Sequence, residues 1–130
     1  MQPIYLGKRK VREFVDTAAM SIVKYFYPSA VAKYANLPLN VVFNYLIELV
    51  DSGELYLKWE LRCPNYTCVR RIGPYVNTPV LGDTLCPVCG EEFEAEISDY
   101  YPIFEITSDF RKDIQSQKKT KNAYLQLQHM

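Results

Sequence analysis

Apolar side chains recur at helical spacing in three stretches of the first half of the chain. Over residues 8–27 they fall on one face, which predicts a long first helix. A shorter second helix is predicted over residues 28–36, and a tight turn leads into a third helix over residues 39–51. In residues 54–62 the apolar positions alternate instead, so a strand is predicted to follow the third helix.

This order of elements is that of a winged helix-turn-helix, in which two helices joined by a tight turn precede a pair of strands. The strand over residues 54–62 would be the first half of the wing, and VRRI at residues 69–72 would return as its second half. Apolar residues make up 48% of the chain and aromatic residues 14%, which is enough for a packed core and argues against intrinsic disorder.

All four cysteines of the chain lie in two closely spaced pairs. Four residues separate Cys63 from Cys68, two separate Cys86 from Cys89, and 17 lie between the pairs. Four thiolates complete a tetrahedral structural zinc site. Gly90, directly after the second pair, favours the tight turn that aims two sulfurs at one point. The sequence therefore predicts that these four residues bind Zn²⁺.

Other states of the four thiols stay open from the sequence alone. Two disulfides, four free thiols, or an iron ion held as in rubredoxin-like sites are the alternatives to zinc. Disulfides require an oxidising compartment, and the first residues, MQPIYLGKRKVREF, lack the apolar run of a secretory signal. We therefore expect a cytoplasmic protein whose metal is structural, because four protein ligands leave no open coordination position for catalysis.

Together the helical and cysteine patterns predict an α+β fold, namely a three-helix winged helix-turn-helix with a zinc-ribbon β-hairpin extending from the wing. The predicted boundaries are residues 1–62 for the winged helix, 63–97 for the zinc ribbon, and 98–130 for an aromatic segment followed by a basic tail. A further helix is expected to start near Ser108 within this last segment.

A winged helix followed by a four-cysteine ribbon, over residues 8–97, resembles archaeal transcription factor E and the alpha subunit of its eukaryotic counterpart. The resemblance lies in the architecture and in the pairs Cys63/Cys68 and Cys86/Cys89. It departs from that family in the four-residue spacing of the first pair and in the direct fusion of wing and ribbon. The resemblance implies a non-catalytic protein that works beside a nucleic-acid machine.

The third predicted helix carries no cation with which to hold DNA. No Lys or Arg occurs between Lys33 and Lys58, whereas Glu48 and Asp51 on the outward face would repel phosphates. Two amides on this face could contact adenine, and nearby apolar side chains are typical of an interface. The candidates for nucleic acid are Asn40 and Asn44, and those for a protein interface are Val41, Phe43, Asn44, Tyr45 and Ile47.

Three interpretations of this face stay open. It could contact a larger protein or a second copy of the chain, it could be covered by residues 4–6 or the C-terminal tail, or it could read DNA. We favour the protein contact, because neutralisation of phosphates supplies most of the affinity for DNA and this helix has no basic residue to provide it.

Charge is segregated along the chain although the formal net charge is zero. Residues 1–73 carry ten Lys/Arg against six Asp/Glu, residues 74–110 carry eight Asp/Glu and no Lys or Arg, and residues 111–130 carry five Lys/Arg against one Asp. Such blocks suggest distinct contact surfaces. The basic residues that could hold a phosphate backbone weakly are Lys8, Arg9, Lys10, Arg12, Lys58, Arg62, Arg70 and Arg71. In the alternative, Arg70 and Arg71 pair with the acidic ribbon residues Glu91, Glu92, Glu94 and Glu96.

The sequence offers no catalytic constellation. The one histidine is His129, every cysteine is assigned to the metal, and no Gly-rich phosphate loop or nucleophile elbow is present. No apolar run is long enough to span a membrane, and no small-molecule site is evident. The sequence therefore predicts a non-enzymatic accessory or adaptor subunit of a nucleic-acid-associated complex, in transcription or genome defence. The rival prediction is a stand-alone, dimeric DNA-binding transcriptional regulator.

Overall fold

The structure, a computed structural model, describes residues 4–117 and divides into two compact units. The first unit comprises residues 4–56 and 104–117, and the second comprises residues 57–103. Helices and small antiparallel sheets confirm the predicted α+β class. The unit boundaries differ from the predicted ones at residues 62 and 97, because the segment after residue 103 packs with the helices.

Four helices build the first unit. Helix α1 spans Ile4–Met20, α2 spans Pro28–Ala35, α3 spans Leu39–Asp51, and α4 begins at residue 108 and continues to residue 117. The start of α4 confirms the prediction near Ser108, and Thr107 caps it by accepting the backbone N–H of Phe110 at 3.2 Å. Small and branched side chains fill the space between the first three helices: Val11, Val15, Ala19, Val31, Ala35, Val42 and Leu46. None of the helices within residues 4–117 is long and apolar enough to cross a membrane.

Helix α1 ends earlier than the sequence predicts. Helical spacing of apolar residues continues to residue 27, but the helix stops at Met20, and Tyr25–Phe26 form strand β1. The guanidinium of Arg111 on α4 donates to three carbonyl oxygens within residues 19–23. These contacts join positions at least 88 residues apart and use carbonyl groups near the point where a longer helix would have continued. The local pattern therefore could not locate the end of α1.

A three-stranded sheet has the strand order β1-β5-β2, in which β2 spans Leu55–Leu61 and β5 spans Tyr100–Ile106. Strand β2 confirms the prediction from alternating apolar positions, whereas neither β1 nor β5 was predicted as a strand. Both β2 and β5 run from one unit into the other along the chain. Strand β1 pairs antiparallel with β5, which places Phe26 opposite Phe104.

Phe104 is the centre of the apolar core of the first unit. It is fully buried, stacks on Phe26 at 5.9 Å between ring centroids, and meets Phe43 of α3 edge-to-face at 5.8 Å. Aromatic pairs in this distance range stabilise a core beyond the apolar area that they bury. The middle strand of the sheet and helix α3 are therefore joined by direct side-chain packing.

The second unit contains a β-hairpin and a set of loops around a small core. Strand β3, Gly82–Leu85, pairs antiparallel with β4, Glu92–Ala95. The predicted return strand at residues 69–72 is wrong, because only one isolated bridge occurs there, between Arg62 and Arg71, and a second joins Trp59 to Val76 beyond it. Positive φ angles at Val69 and Gly73 interrupt the ladder. The buried members of the core are Leu61, Ala95 and Tyr100, with Trp59, Ile72, Val76 and Phe93 packed against them.

Candidate metal centre

The four cysteine sulfurs converge on one point in the second unit. All four Sγ atoms lie within 4.8 Å of one another, with Cys63 and Cys89 at 3.6 Å and Cys68 and Cys86 at 3.8 Å. A tetrahedron with Zn–S bonds of about 2.3 Å has edges of about 3.8 Å, close to these two distances. A disulfide would need sulfurs about 2.05 Å apart, and the cysteines are unpaired. The predicted grouping of the four cysteines is therefore confirmed as one close enough to hold a metal ion, while the binding and identity of the metal stay predictions.

Two turns present the sulfurs, here called the first knuckle (residues 63–69) and the second knuckle (residues 86–90). The first follows β2 directly, and the second connects β3 to β4. Within the second, the N–H of Gly90 donates to the carbonyl of Cys86 at 2.9 Å, and the N–H of Cys86 donates to the carbonyl of Glu91 at 2.9 Å. The second knuckle is thus a closed turn at the tip of a paired hairpin.

Asn65 organises the first knuckle, and sequence reasoning missed its part. Its Oδ1 atom accepts the backbone N–H of Thr67 at 3.1 Å and the hydroxyl of Thr67 at 2.8 Å, while its carbonyl accepts the N–H of Cys68 at 2.8 Å. An asparagine side chain that bonds the backbone two residues on forms an Asx turn. This turn folds the four-residue spacing back so that both thiols face the same point. The Asn two residues after the first Cys is the feature of the sequence from which this Asx turn could have been predicted.

Backbone N–H groups donate hydrogen bonds to the sulfurs of Cys86 and Cys63, and such bonds stabilise the thiolate form. Hydrogen bonds from the backbone of Cys89 and Val88 lower the pKa of the Cys86 thiol to about 7. Burial raises the pKa of the Cys63 thiol to about 12, although the N–H of Asn65 works against it. A buried thiol of this kind becomes a thiolate only beside a cation, and a bound metal deprotonates its thiol ligands outright. Two of the sulfurs are buried, those of Cys63 and Cys86, and this donor set fits a soft divalent metal.

The last residue of each knuckle, which follows the second cysteine of its pair, has a positive φ angle. Gly90 follows Cys89 with a φ of 79°, and Val69 follows Cys68 with a φ of 46°. Both angles lie in the left-handed region, which a β-branched residue rarely adopts and which costs an L side chain about 1–2 kcal/mol. The first knuckle therefore reaches the geometry of the second at a cost in backbone strain, because no glycine is present at its end.

Substituting Val69 by Gly is expected to raise the free energy of unfolding of the metal-loaded protein by about 1 kcal/mol. The strain disappears, and the Val69 side chain is 57% exposed, so little packing is lost. Gly90→Val is the converse variant and should lower stability by a similar amount through backbone strain alone, since no atom lies within 4 Å of a Cβ built there. Urea unfolding followed by fluorescence of the single tryptophan, Trp59, measures both. Destabilisation by Val69→Gly would contradict the strain.

The fold and the site define this chain as an α+β protein with a candidate four-cysteine metal centre. Comparisons with protein-family models, with curated proteins and with solved structures give no match for it. A function must therefore be inferred from the geometry of its own residues.

The basic residues of α1 are partly engaged within the first unit. Lys8 lies 3.6 Å from Glu48 and 5.3 Å above the ring of Tyr45. Arg12 is bound to Glu54 at 2.5 Å and to Asp16 at 3.2 Å. The ion pairs of Arg12 therefore stabilise the fold of the first unit. Lys8 and Arg9 are exposed and Lys10 is half-buried, so these three lie nearer to solvent.

The basic residues of the second unit differ in the same way. Arg62 pairs with the buried Glu60 at 2.6 Å, and Lys58 is half-buried. Arg70 and Arg71 are both exposed, and within residues 4–117 no ion pair joins either of them to an acidic side chain. The alternative that these two arginines neutralise the acidic ribbon residues is therefore not realised in the described part of the chain.

The face of α3 expected to meet a partner is only partly exposed. Asn40, Asn44, Glu48 and Asp51 are exposed, whereas Val41, Phe43, Tyr45 and Ile47 are half-buried. Phe43 turns towards Phe104 rather than outwards, which the sequence could not reveal while β5 was unrecognised. Lys8 of α1 lies over the ring of Tyr45. The surface that α3 offers to solvent is therefore an amide and carboxylate surface with apolar margins.

Proposed function

We propose that this chain is a non-catalytic, zinc-stabilised winged-helix accessory subunit of a nucleic-acid-associated complex in the cytoplasm, active in transcription or genome defence. One observation carries the proposal. The elements run α1-β1-α2-α3-β2-β5 with sheet order β1-β5-β2, and the four-cysteine unit is inserted between β2 and β5. Three helices with a sheet of this kind fit a winged helix-turn-helix, in which β2 and β5 would form the wing.

Zinc is the metal that we assign to the centre. Four thiolates suit zinc and iron alike, but a closed four-sulfur site is typical of structural zinc. Such a site has no open position at which a substrate or water could bind, so its role is to hold the second unit together. This supports a binding protein rather than an enzyme.

A protein partner is the occupant that the surface of α3 favours. Its exposed side chains include Glu48 and Asp51, and the helix has no Lys or Arg, so a DNA phosphate backbone would meet negative charge there. The half-buried margins Val41 and Ile47 supply apolar area beside the exposed amides. A mixed surface of this composition is ordinary for a non-obligate interface with a larger protein or a second copy. In the second unit, the exposed Arg70 and Arg71 would contact a nucleic-acid backbone.

The second candidate is a stand-alone dimeric regulator that reads DNA through α3. Asn40 and Asn44 are exposed on that helix, and asparagine can pair with the edge of adenine. The two candidates differ in what they require of DNA. A regulator must select a sequence at physiological salt, whereas an accessory subunit needs only weak contacts with the backbone, which salt removes.

Selection of duplexes from a random pool at about 150 mM salt separates the candidates. We expect no sequence to be enriched by the zinc-loaded chain. Enrichment of one motif that Asn44→Ala abolishes would establish the regulator instead. The protein contact is tested with variants of the zinc-loaded chain. Asn44→Arg should break the complex with the larger partner or second copy. Ala30→Arg, on the exposed side of α2, should leave that complex intact.

A further inference from the structure

The geometry points to a binding site for single-stranded nucleic acid beside the first knuckle, on the antiparallel segments 60–62 and 70–75. This inference rests on the proposed function, to which it adds the class of ligand and the residues that bind it. The site is built from a cross-strand pair of arginines, two tyrosines that hold them, and an exposed tyrosine at the tip of the knuckle.

Two arginines face each other across the two segments. Arg62 and Arg71 form an isolated antiparallel bridge, so their side chains leave the same face at neighbouring positions. The buried Glu60 lies 2.6 Å from Arg62 and compensates its charge, whereas no ion pair within residues 4–117 compensates the charge of Arg71. An anion at this place would therefore be attracted chiefly by Arg71.

Each of these guanidinium groups stacks on a tyrosine ring. Arg62 lies 4.1 Å from the ring centroid of Tyr101, and Arg71 lies 4.5 Å from that of Tyr75. Stacking fixes the plane of a guanidinium while its N–H groups, which lie in that plane, remain directed outwards. Phosphate oxygens accept such N–H groups in pairs, so Arg71 is held ready for a phosphate backbone. Arg62 already donates its Nε–H to Glu60 at 2.6 Å and contributes mainly through its position opposite Arg71. Arg70, exposed and adjacent to Arg71, adds a further positive charge.

Tyr66 supplies an aromatic surface next to the arginines in sequence. It lies in the loop between Cys63 and Cys68 and is 88% exposed. The Asx turn of Asn65 and the thiols on either side constrain that loop, so a base that stacks on the ring has little chain entropy to remove. Stacking of bases on exposed aromatic rings, combined with basic side chains that follow the backbone, is how proteins bind single strands without reading sequence.

The charges of the second unit favour a single strand over a duplex. The paired residues Asp83 and Glu94, with Glu92, are exposed on the β3–β4 hairpin. A duplex is rigid and carries phosphates along both strands, so this negative surface should repel it more strongly than a single strand, which can bend away. Bases within a duplex also cannot reach the ring of Tyr66, because they are stacked and paired. Single-stranded DNA and RNA share the chemistry that the site requires.

Fluorescence anisotropy with the full zinc-loaded chain tests the site. The probes are labelled oligo-dT and oligo-U of about 20 nucleotides and a duplex of the same length, each titrated at about 50 and about 200 mM salt. We expect both single strands to bind, with the duplex about tenfold weaker or more, and affinity to fall steeply with salt. A marked preference between oligo-dT and oligo-U would show which source of single strand the site takes.

Four variants distinguish the phosphate contact of Arg71 and the base stacking of Tyr66 from a nonspecific effect of charge. Arg71→Gln should weaken binding severalfold and reduce the slope of log affinity against log salt by about 0.7, the value for one phosphate contact on a single strand. Tyr66→Ala should weaken binding about fivefold or more with little change in that slope, and Tyr66→Phe should restore it. Lys33→Gln removes an exposed charge in the first unit and should leave the affinity unchanged. Zinc content and tryptophan fluorescence confirm that each variant is folded.

Three outcomes would overturn the inference. These are an absence of binding to either single strand, tighter binding to the duplex, and a loss of affinity in Lys33→Gln equal to that in Arg71→Gln. None of them decides the proposed function, which is tested separately through Asn44 and the duplex selection. Conversely, single-strand binding could persist while Asn44→Arg leaves every protein complex intact, and only the proposed function would then fail.

Discussion

Replacing Cys89 with serine is expected to abolish metal binding and to unfold the unit of residues 57–103. Cys89 is exposed, so the substitution removes one ligand without opening a cavity in the core. Only three apolar residues besides cysteine form the buried centre of this unit's own cluster, namely Leu61, Ala95 and Tyr100. Structural zinc contributes on the order of 10 kcal/mol to folding such small modules, which is more than a core of this size supplies.

Metal content and two-dimensional NMR measure the effect together. We expect the zinc content to fall from one ion per chain to none, and the amide resonances of residues 57–103 to collapse into the narrow range of an unfolded chain. The neighbouring variant Val88→Ser, also at an exposed position, should change neither. A strong chelator added to the wild-type protein should reproduce Cys89→Ser. A Cys89→Ser protein that keeps dispersed resonances without metal would contradict a structural role for the centre.

Phe104→Ala is expected to lower the free energy of unfolding of the first unit by about 3–5 kcal/mol. Phe104 has no exposed surface, and its ring contacts both Phe26 and Phe43, so its loss leaves a cavity between the sheet and α3. Because folded domains are stable by only about 5–15 kcal/mol, a loss of this size brings the unit close to unfolding. Urea unfolding followed by far-ultraviolet circular dichroism reports on the helices of this unit.

Leu39→Ala is the matched control for Phe104→Ala. Leu39 lies at the start of α3 and is 52% exposed, so its truncation removes apolar contact without forming an enclosed cavity. We expect it to cost less than about 1 kcal/mol. Equal costs for the two variants would mean that β5 does not fill the core, and the winged-helix interpretation would lose its central strand.

The parts of the structure that depend on neighbouring residues could be predicted from the sequence. The left-handed Asn36 closes α2 at the predicted end, and the alternating apolar positions before Cys63 become β2. The metal site could be predicted for the same reason, because each knuckle is a turn formed by neighbouring residues. A four-sulfur site then requires only that the two turns direct their sulfurs at the same point. Its ligands Cys86 and Cys89 sit in a Cys-Pro-Val-Cys-Gly stretch whose backbone geometry the sequence itself indicates.

The parts that depend on distant residues could not be predicted in this way. Strand β1 continues the helical spacing of α1, and what separates the two is Arg111, which binds carbonyl groups about 90 residues before it. Strand β5 contains Pro102 and a nearly continuous apolar run, a pattern that fits a covered segment as well as a strand. Because β5 was not predicted as a strand, the sequence also could not show that Phe43 turns inwards to contact Phe104. The left-handed conformation of Val69 contradicts its residue type and is imposed by the closure of the knuckle.

The central claim is that four thiolates of this chain bind one zinc ion, and protein purified without chelator under anaerobic conditions tests it most directly. Elemental analysis should give one zinc per chain, with all four cysteines protected from alkylation until the metal is removed. Protein that contains no metal, or that carries a disulfide within either cysteine pair, would contradict the claim, and one iron per chain would contradict the identity of the metal.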